Sequence, residues 1–498
     1  MSATPLAASP AAVVPLPQPA AIALRGTTVP RSAAMIVVIA ATYLLTNDWL
    51  AAFALLVLLV GWRWLAPARG APALAVAFSY QWLQAASGLF YFDLTGRTPL
   101  AMAEPSWRDE VIVAMVAILA LALGLRTGTR WLSDRRTGTM RDSALTPRQL
   151  LAIYVVTTVV AYLFIELTIS IDAFAGLYQG AVFFAYARLA VLYLVFRRLL
   201  QPRVRVALFA LLLLFEIVIG ITGYFASFRE VIVVAALALL EIFDARRLSH
   251  WLVSVGLGVA MLFTGLVWTG IKAEYRSAYD ADAGLSASRT QKFELVQQLA
   301  GRWVGQGGEA VAATTDAAID RLWQVYYPAM VLRRVPDSVP HTNGAFLWNA
   351  IVHVLTPRFF FEDKAALLSD SDKVRRYAGA NVAGVEQNTS IAFGYVAESY
   401  VDFGVPFMYL PIFMFGLAAG LLYSWSWRLF IHQDVATGAL SIIFWLGLYL
   451  FERSWDRTLG VALTTALFVG GAAFVFDRIL VQLDEMPGQG TRARPVSS

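Results

Sequence analysis

Long runs of apolar residues, broken by short polar and basic stretches, dominate the sequence. A mostly apolar segment of about 17 to 25 residues can cross the roughly 30 Å hydrocarbon layer of a membrane as a helix. The pattern predicts an all-α polytopic membrane protein with about twelve spanning helices. They fall at 33–47, 49–65, 71–93, 109–126, 149–170, 179–197, 205–224, 230–245, 250–270, 405–427, 435–452 and 459–480.

Composition agrees with this class, because 58% of the residues are hydrophobic and only 15% are charged. The chain has no cysteine, which excludes disulfides, thiolate metal ligands and a cysteine nucleophile. We expect disordered cytoplasmic tails at both ends, with a large, mostly helical external loop domain between two groups of spans. The predicted divisions are 1–30 (tail), 31–270 (nine spans), 271–390 (external loop domain), 391–482 (helix entry and three spans) and 483–498 (tail).

Basic residues indicate the orientation of the predicted spans. Arginines follow the second, fourth, sixth and eighth spans, which places all of them on one side. Short cytoplasmic loops carry an excess of Lys and Arg, so this side is predicted to face the cytoplasm. The external loop domain and its aromatic residues then lie on the opposite side.

A few arginines break this rule at the outer ends of spans. Arg229 lies between the seventh and eighth spans, Arg276 follows the ninth, and Arg453 and Arg457 lie between the last two. The planar guanidinium group stays charged and binds phosphate oxygens through two parallel hydrogen bonds. We therefore predict a site for an anionic ligand at the outer surface. The alternative is that each arginine pairs with a neighbouring acid, as Arg229 would with Glu230.

The stretch TPRFFFEDK, residues 356–364, combines four charged residues with three phenylalanines. Pro357 should end the preceding helix, and the phenylalanines would anchor the turn at the lipid boundary. Arg358 is then a further candidate for the anionic ligand, and Lys364 is a weaker one. The alternative is that Arg358 pairs with an acid beside it.

Two external residues are candidates for acid–base chemistry. Glu398 has an apolar sequence frame near the outer start of the tenth span, which would raise the pKa of its carboxyl group. It could accept a proton from a hydroxyl group, orient an arginine, or simply pair with a cation at a helix entry. His341, in the loop VPHTNG, could act as a base near neutral pH.

Motifs for other chemistries are missing from the sequence. We find no Gly-rich phosphate loop, and we interpret Asp280-Ala281-Asp282 as a polar loop. No cofactor, metal or nucleic acid is therefore expected.

Three pieces of the sequence resemble the Wzy-type polymerases, which join oligosaccharide repeat units in bacterial O-antigen and exopolysaccharide assembly. They are HTNGAFLWNAIVHVLTPRFFFEDK, AESYVDFGVPFMYLPIFMFGLAAG and SFREVIVV. The second piece is similar to the family's Gly-Glu-x-Tyr-x-x-Phe-Gly entry into a span, with Ala397 in place of the glycine. By this similarity Tyr400 joins the candidates for substrate binding.

The resemblance implies a fold related to the GT-C membrane glycosyltransferases and an active site on the periplasmic face of the bacterial inner membrane. Such polymerases transfer the growing glycan from its undecaprenyl-diphosphate carrier to a hydroxyl group of a repeat unit on a second carrier. The implied partners are the two lipid-linked oligosaccharides, the bilayer and a membrane protein that regulates chain length.

Two other functions remain open at this point. An O-antigen ligase, which transfers glycan to the lipid A core, would share the fold and the donor. A flippase or other transporter would carry charges inside its spans and an internal repeat. The main mid-span charges here are Glu166, Arg188 and Glu216, and we expect Arg188 to pair with one of the acids.

Overall fold

The computed structural model is all-helical, and the residues it describes contain no strand. These residues are 31–66, 72–132, 140–171, 174, 178–201, 205–222, 228–281, 289–356, 361, 366–387 and 389–485. The helices are α1 (Arg31–Thr46), α2 (Trp49–Leu65), α3 (Ala73–Thr95), α4 (Trp107–Trp131), α5 (Pro147–Ser170), α6 (Tyr178–Ala185), α7 (Ala187–Leu199), α8 (Val206–Thr222), α9 (Phe228–Ile242), α10 (Leu248–Ala281), α11 (Arg289–Gly305), α12 (Gly308–Leu322), α13 (Tyr326–Arg334), α14 (Ala345–Leu355), α15 (Asp370–Lys373), α16 (Gly394–Phe403), α17 (Tyr409–Ser426), α18 (Gln433–Leu448) and α19 (Trp455–Glu485).

Each of the twelve apolar segments overlaps a helix in its described residues, and the segment 179–197 is divided between α6 and α7. α10 continues eleven residues past the predicted span, and α19 runs to Glu485, into the segment that we expected to be a disordered tail. Within the described residues, six helices are long and apolar enough to cross a membrane. They are Trp107–Trp131, Pro147–Thr168, Gly180–Leu199, Leu248–Tyr275, Tyr409–Ser426 and Trp455–Glu485.

Helix starts follow from local sequence. Asp48 precedes α2, and its side chain accepts a hydrogen bond of 2.9 Å from the backbone N–H of Leu50. Thr146 and Gln149 form a capping box at the start of α5, with Pro147 in the first helical position. These bonds satisfy backbone N–H groups that have no partner inside the helix.

α18 lies at the centre of the bundle, where all its residues from Asp434 to Leu448 are buried. It packs against α3, α7 and α19. In contrast, α10 exposes large apolar side chains such as Leu252, Val259 and Leu262. An apolar surface of this kind on a long helix is typical of contact with lipid.

α4 and α17 cross through two pairs of glycines. A Cβ atom added to Gly124 would lie 2.2 Å from the backbone oxygen of Phe413, and one added to Gly420 would lie 2.4 Å from that of Leu125. The two backbones therefore touch, as in small-residue crossings of membrane helices. Because Gly124 faces Gly416 and Gly128 faces Gly420, the two helices are parallel and their N-terminal ends lie together.

A buried ion pair inside the bundle confirms the expected pairing of Arg188. Its guanidinium group donates to both carboxylate oxygens of Glu216, at 2.7 and 2.9 Å, and the Tyr154 hydroxyl also contacts Glu216. Both members of the pair are almost fully buried. The pair satisfies two charges that would otherwise be costly in this environment.

A second polar group ties together the ends of helices on the side that carries the basic loops. His432 is fully buried, and its Nδ1 lies 2.9 Å from the Asp477 carboxylate, while Arg141 pairs with Asp484 at 2.8 Å. Arg198 lies 3.3 Å from Asp434 in the first turn of α18. The loop after α4 and the last turn of α7 thus meet the start of α18 and the last turns of α19.

The segment 271–390, which was predicted to be external, is mostly helical in its described residues, with α11 to α15 inside it. α12 and α13 are separated at Trp323, which leaves the helix and enters the bundle. Its indole N–H donates to the Ala85 oxygen at 2.9 Å, and its ring lies against Gly88. A separate apolar core forms between α13, α16 and the turn that follows α15.

Candidate functional site

α16 contains most of the AESYVDFG motif and joins several parts of the chain. The Tyr395 hydroxyl donates to the Gln81 side chain at 2.7 Å, and Ser399 accepts from the Trp455 indole at 3.0 Å. The Tyr400 hydroxyl donates to the Val335 oxygen at 2.8 Å. One short helix therefore connects α3, α13 and α19, and three groups of polar residues lie around it.

The first group, which we call the lysine cluster, consists of Lys373 and the carboxylates of Asp370, Glu398 and Asp456. The Lys373 Nζ atom lies 2.6 Å from Glu398, 3.4 Å from Asp456 and 3.6 Å from Asp370. Glu398 is 1% exposed and also accepts from the Trp455 backbone N–H at 2.6 Å. Glu398 is thus held by a lysine and a helix start.

Burial raises the pKa of Glu398 to about 7, even though the Lys373 ammonium group opposes the change. Burial alone would lower the pKa of Lys373, but Glu398 and Asp456 outweigh it, and the pKa lies above its usual value. Oxygens of the three carboxylates lie close enough to hold a cation. The lysine ammonium group already lies among them and supplies that positive charge.

Arg457 extends the lysine cluster toward solvent. Its Nε atom lies 3.0 Å from the Asp370 carboxylate, and its terminal nitrogen donates to Ser390 at 2.8 Å. The alternative to ligand binding was that Arg457 pairs with the adjacent Asp456. In the structure it pairs with Asp370 instead.

The second group, the arginine recess, brings together Arg229 and Arg453. Both guanidinium groups lie over the ring of Tyr449, at 5.9 and 5.1 Å from its centroid. Arg453 donates to the Leu446 oxygen at 2.6 Å, so it satisfies a carbonyl at the end of α18. The Arg229 side chain is 44% exposed, and its ion pair with Glu230 is long, at 3.7 Å. Arg229 is thus the more accessible of the two cations.

Three other predicted residues do not enter this comparison. Arg276 belongs to α10, but its side chain is outside the described part of the structure. Arg358 and Lys364 lie entirely outside the described residues. Their roles remain predictions.

The third group forms a cavity of about 620 Å³ that contains two of the predicted residues, His341 and Tyr400. It lies between the N-terminal end of α4, the end of α13 and the connection from α16 to α17. Its walls combine polar and aromatic side chains. They include Ser106, Asp109, His341, Tyr400, Phe403 and Phe407.

His341 has a defined orientation in this cavity. Its Nδ1 atom lies 3.2 Å from the backbone oxygen of Val401. A carbonyl oxygen can only accept, so Nδ1 must carry the proton, and Nε2 of the neutral ring keeps its lone pair. Nε2 lies against Gly404, where an added Cβ atom would be 3.0 Å away. The imidazole is therefore set up to accept a proton through Nε2.

The structure brings the predicted residues together in pairs rather than in one constellation. Arg229 lies with Arg453, His341 lies with Tyr400, and Glu398 and Arg457 share the lysine cluster. Lys373 and Asp402 were missed by sequence reasoning, since each occurs in a stretch with other acidic or basic residues and nothing local distinguishes it. Gly394 at the start of α16 lies against the backbone of Phe451 and Glu452, next to Arg453. The cavity lies at the other end of α16, about 15 Å away along the helix axis.

The chain is thus an all-helical protein with apolar helices of the membrane-spanning kind and a polar region at one end of the bundle. A family model described as a domain of unknown function (DUF8712) matches residues 113–451. The match covers more than half of the chain, and the chain belongs to this family. No curated protein and no solved structure matches it.

Proposed function

We propose that this protein is a membrane glycosyltransferase that polymerises oligosaccharide repeat units carried on undecaprenyl diphosphate. The arginine recess is the observation that carries the proposal. Two guanidinium groups from different elements lie over one aromatic ring, and the Arg229 side chain is 44% exposed. This arrangement suits a diphosphate at the membrane surface. The sequence resemblance supplies the class of substrate, an oligosaccharide carried on a lipid diphosphate.

In this proposal the chain crosses the bacterial inner membrane twelve times in a GT-C-like arrangement, with the segment 271–390 on the periplasmic side. The parallel α4 and α17 support this topology, because both were predicted to begin outside. The bilayer and a chain-length-regulating membrane protein are the expected partners.

His341 is the base in the proposed reaction. Nε2 removes the proton from the acceptor hydroxyl as its oxygen bonds to the anomeric carbon of the donor glycan, and the carrier diphosphate leaves with the electron pair. Arg229 and Arg453 stabilise the charge on that leaving group. The cavity binds the acceptor sugar against Phe403 and Phe407. Glu398 is assigned a positioning role because the lysine cluster buries it away from the cavity.

The distance between the arginine recess and the cavity determines how the two substrates must bind. The backbone anchors of the recess and of the cavity are about 15 Å apart along α16, so both sets of side chains must reach toward one sugar ring. The acceptor must also enter with its reacting hydroxyl toward the recess.

The glycan profile of a deletion strain tests the function. Lipid capped with a single repeat unit is expected for a lost polymerase. Polymer that stays on its carrier and never reaches the core would indicate a ligase, and total loss of surface glycan would indicate a flippase.

Polymerisation of purified carrier-linked repeat units tests the residues. Arg229→Lys keeps the charge but loses the bidentate geometry, so polymer yield should fall sharply, whereas Arg246→Lys at the opposite end should have no effect. His341→Gln should lower kcat by about 100-fold to 10,000-fold, the range for loss of a general base. Normal turnover by both variants would refute the assigned site.

A further inference from the structure

Asp402, near the end of α16, binds the loop that contains His341. It is 1% exposed, and one of its oxygens accepts from the Thr342 hydroxyl at 2.5 Å and from the Phe346 backbone N–H at 3.0 Å. The other oxygen accepts from the Leu347 backbone N–H at 2.9 Å. The donors are Thr342, directly after His341, and Phe346 and Leu347 in the first turn of α14.

These bonds make Asp402 the cap of α14. The first backbone N–H groups of a helix have no partner within it, and a carboxylate there is favoured by the helix dipole. Gly344, the residue that precedes α14, has no side chain to supply such a cap. The start of α14 is therefore fixed to a carboxylate of another helix, about 55 residues later in the chain.

The same attachment sets the position of His341. The Thr342 backbone N–H donates to the Val401 oxygen at 3.0 Å, and the His341 Nδ1 atom lies 3.2 Å from that oxygen. Asp402 is the next residue after Val401, so carbonyl and carboxylate hold consecutive parts of one loop. If the loop moved, the imidazole would lose the acceptor that keeps the proton on Nδ1.

We infer that Asp402 is a positioning residue that holds His341 in its Nδ1–H tautomer, with Nε2 as the proton acceptor in the cavity. The catalytic meaning of this inference rests on the proposed function, in which His341 is the base. Asp402 does not line the cavity, so it acts through the loop and not on the substrate.

Asp402→Asn is the sharpest substitution, because it keeps the size of the side chain. An amide has one acceptor oxygen, and its NH₂ group would face either the Leu347 N–H or the donors on the other side. At least one buried donor then loses its acceptor, so the loop should loosen. Asp434→Asn is the matched control. Asp434 is also buried and accepts from a hydroxyl and backbone N–H groups, but at the opposite end of the bundle.

The tautomer can be measured directly by NMR of purified full-length protein labelled with ¹⁵N-histidine, at a pH where the rings are neutral. The chain has only four histidines, and His341→Gln assigns the signal. We expect the proton on Nδ1 in the wild type and in Asp434→Asn, and a mixture of tautomers in Asp402→Asn. Thr342→Val removes only the hydroxyl donor and should cause a smaller change in the same direction. This variant still tests the inference if Asp402→Asn does not fold.

In the polymerisation assay, Asp402→Asn should lower kcat by about 100-fold, the cost of a misplaced catalytic group, with little change in KM. A wild-type His341 protonated on Nε2 would overturn the inference, and so would tautomers that are the same in the wild type, Asp402→Asn and Thr342→Val. The NMR measurement needs no substrate. If Asp402→Asn changes the tautomer but the wild-type protein does not polymerise glycan, the inference about Asp402 holds and only the proposed function is refuted.

Discussion

The glycine crossing between α4 and α17 allows a prediction with a built-in control. In Gly128→Ala, the new Cβ would lie 2.4 Å from the Leu417 oxygen and 2.6 Å from the Leu421 nitrogen, both backbone atoms that cannot rotate away. Ordinary contacts of a Cβ atom begin at about 3.4 Å, so the two helices must separate by about 1 Å. Overpacking of this kind typically costs about 1–3 kcal/mol.

Gly258→Ala in α10 makes the same chemical change without the contact, since no described heavy atom lies within 4 Å of the added Cβ. Replacing a helical glycine by alanine removes backbone freedom and favours the helix by up to about 1 kcal/mol. Gly258→Ala should therefore be neutral or stabilising, while Gly128→Ala should lower the melting temperature of the purified protein in detergent.

The effect should extend to the cavity, because the N-terminal end of α4 and the connection that leads into α17 supply parts of its wall. Gly128→Ala combined with Gly420→Ala should cost less than the sum of the single changes, since one separation of the helices relieves both contacts. The reasoning would be refuted if Gly128→Ala melted at the same temperature as Gly258→Ala, because the backbone contact would then have no energetic weight.

Further predictions concern charge and topology. Because the folded pKa of Glu398 is about 7 and the unfolded value is 4.5, the folded chain holds the proton more tightly, so stability should fall by about 3 kcal/mol as pH rises through that range. Melting curves from pH 5 to 8 should show this slope in the wild type and lose it in Glu398→Gln. Arg188→Met leaves Glu216 buried without its partner and should cost about 3–5 kcal/mol, most of which the double change with Glu216→Met should restore in the same melting assay. Reporter fusions at Asp337 should read periplasmic and those at Arg247 cytoplasmic, and a cytoplasmic signal at Asp337 would end the proposed mechanism.

Helices could be predicted from the sequence wherever an apolar run determined them. Hydropathy marks only the apolar part of a helix, however, so it ended α10 and α19 too early. Both continue as helices into polar sequence. The parallel contact of α4 with α17 has a visible signal in Gly124/Gly128 and Gly416/Gly420. Spacing alone did not show which two helices would meet.

The candidate site was harder to predict, because its contacts join distant parts of the chain. Lys373 looked like one charge in a polar loop, yet its partners Glu398 and Asp456 are 25 and 83 residues away. The apolar frame of Glu398 correctly indicated a raised pKa, but it could not show that a lysine occupied the same space. Arg229 and Arg453 were identified because they break the positive-inside rule, which is a global pattern and needs no tertiary contact.

Buried hydrogen bonds fix α19 at two positions along its length. The Trp455 backbone is bound by Glu398 at the start of α19, and Asp477, about two turns before the other end, is bound by His432. These residues are about 33 Å apart along the helix, which is close to the hydrocarbon thickness of a bilayer. A membrane helix that is free to move adapts to a thinner bilayer by tilting. In the proposed membrane topology, α19 cannot tilt alone without breaking buried bonds near both ends, so hydrophobic mismatch must be accommodated by the lipid or by the whole bundle. Reconstituted protein should therefore lose thermal stability steeply as acyl chains are shortened.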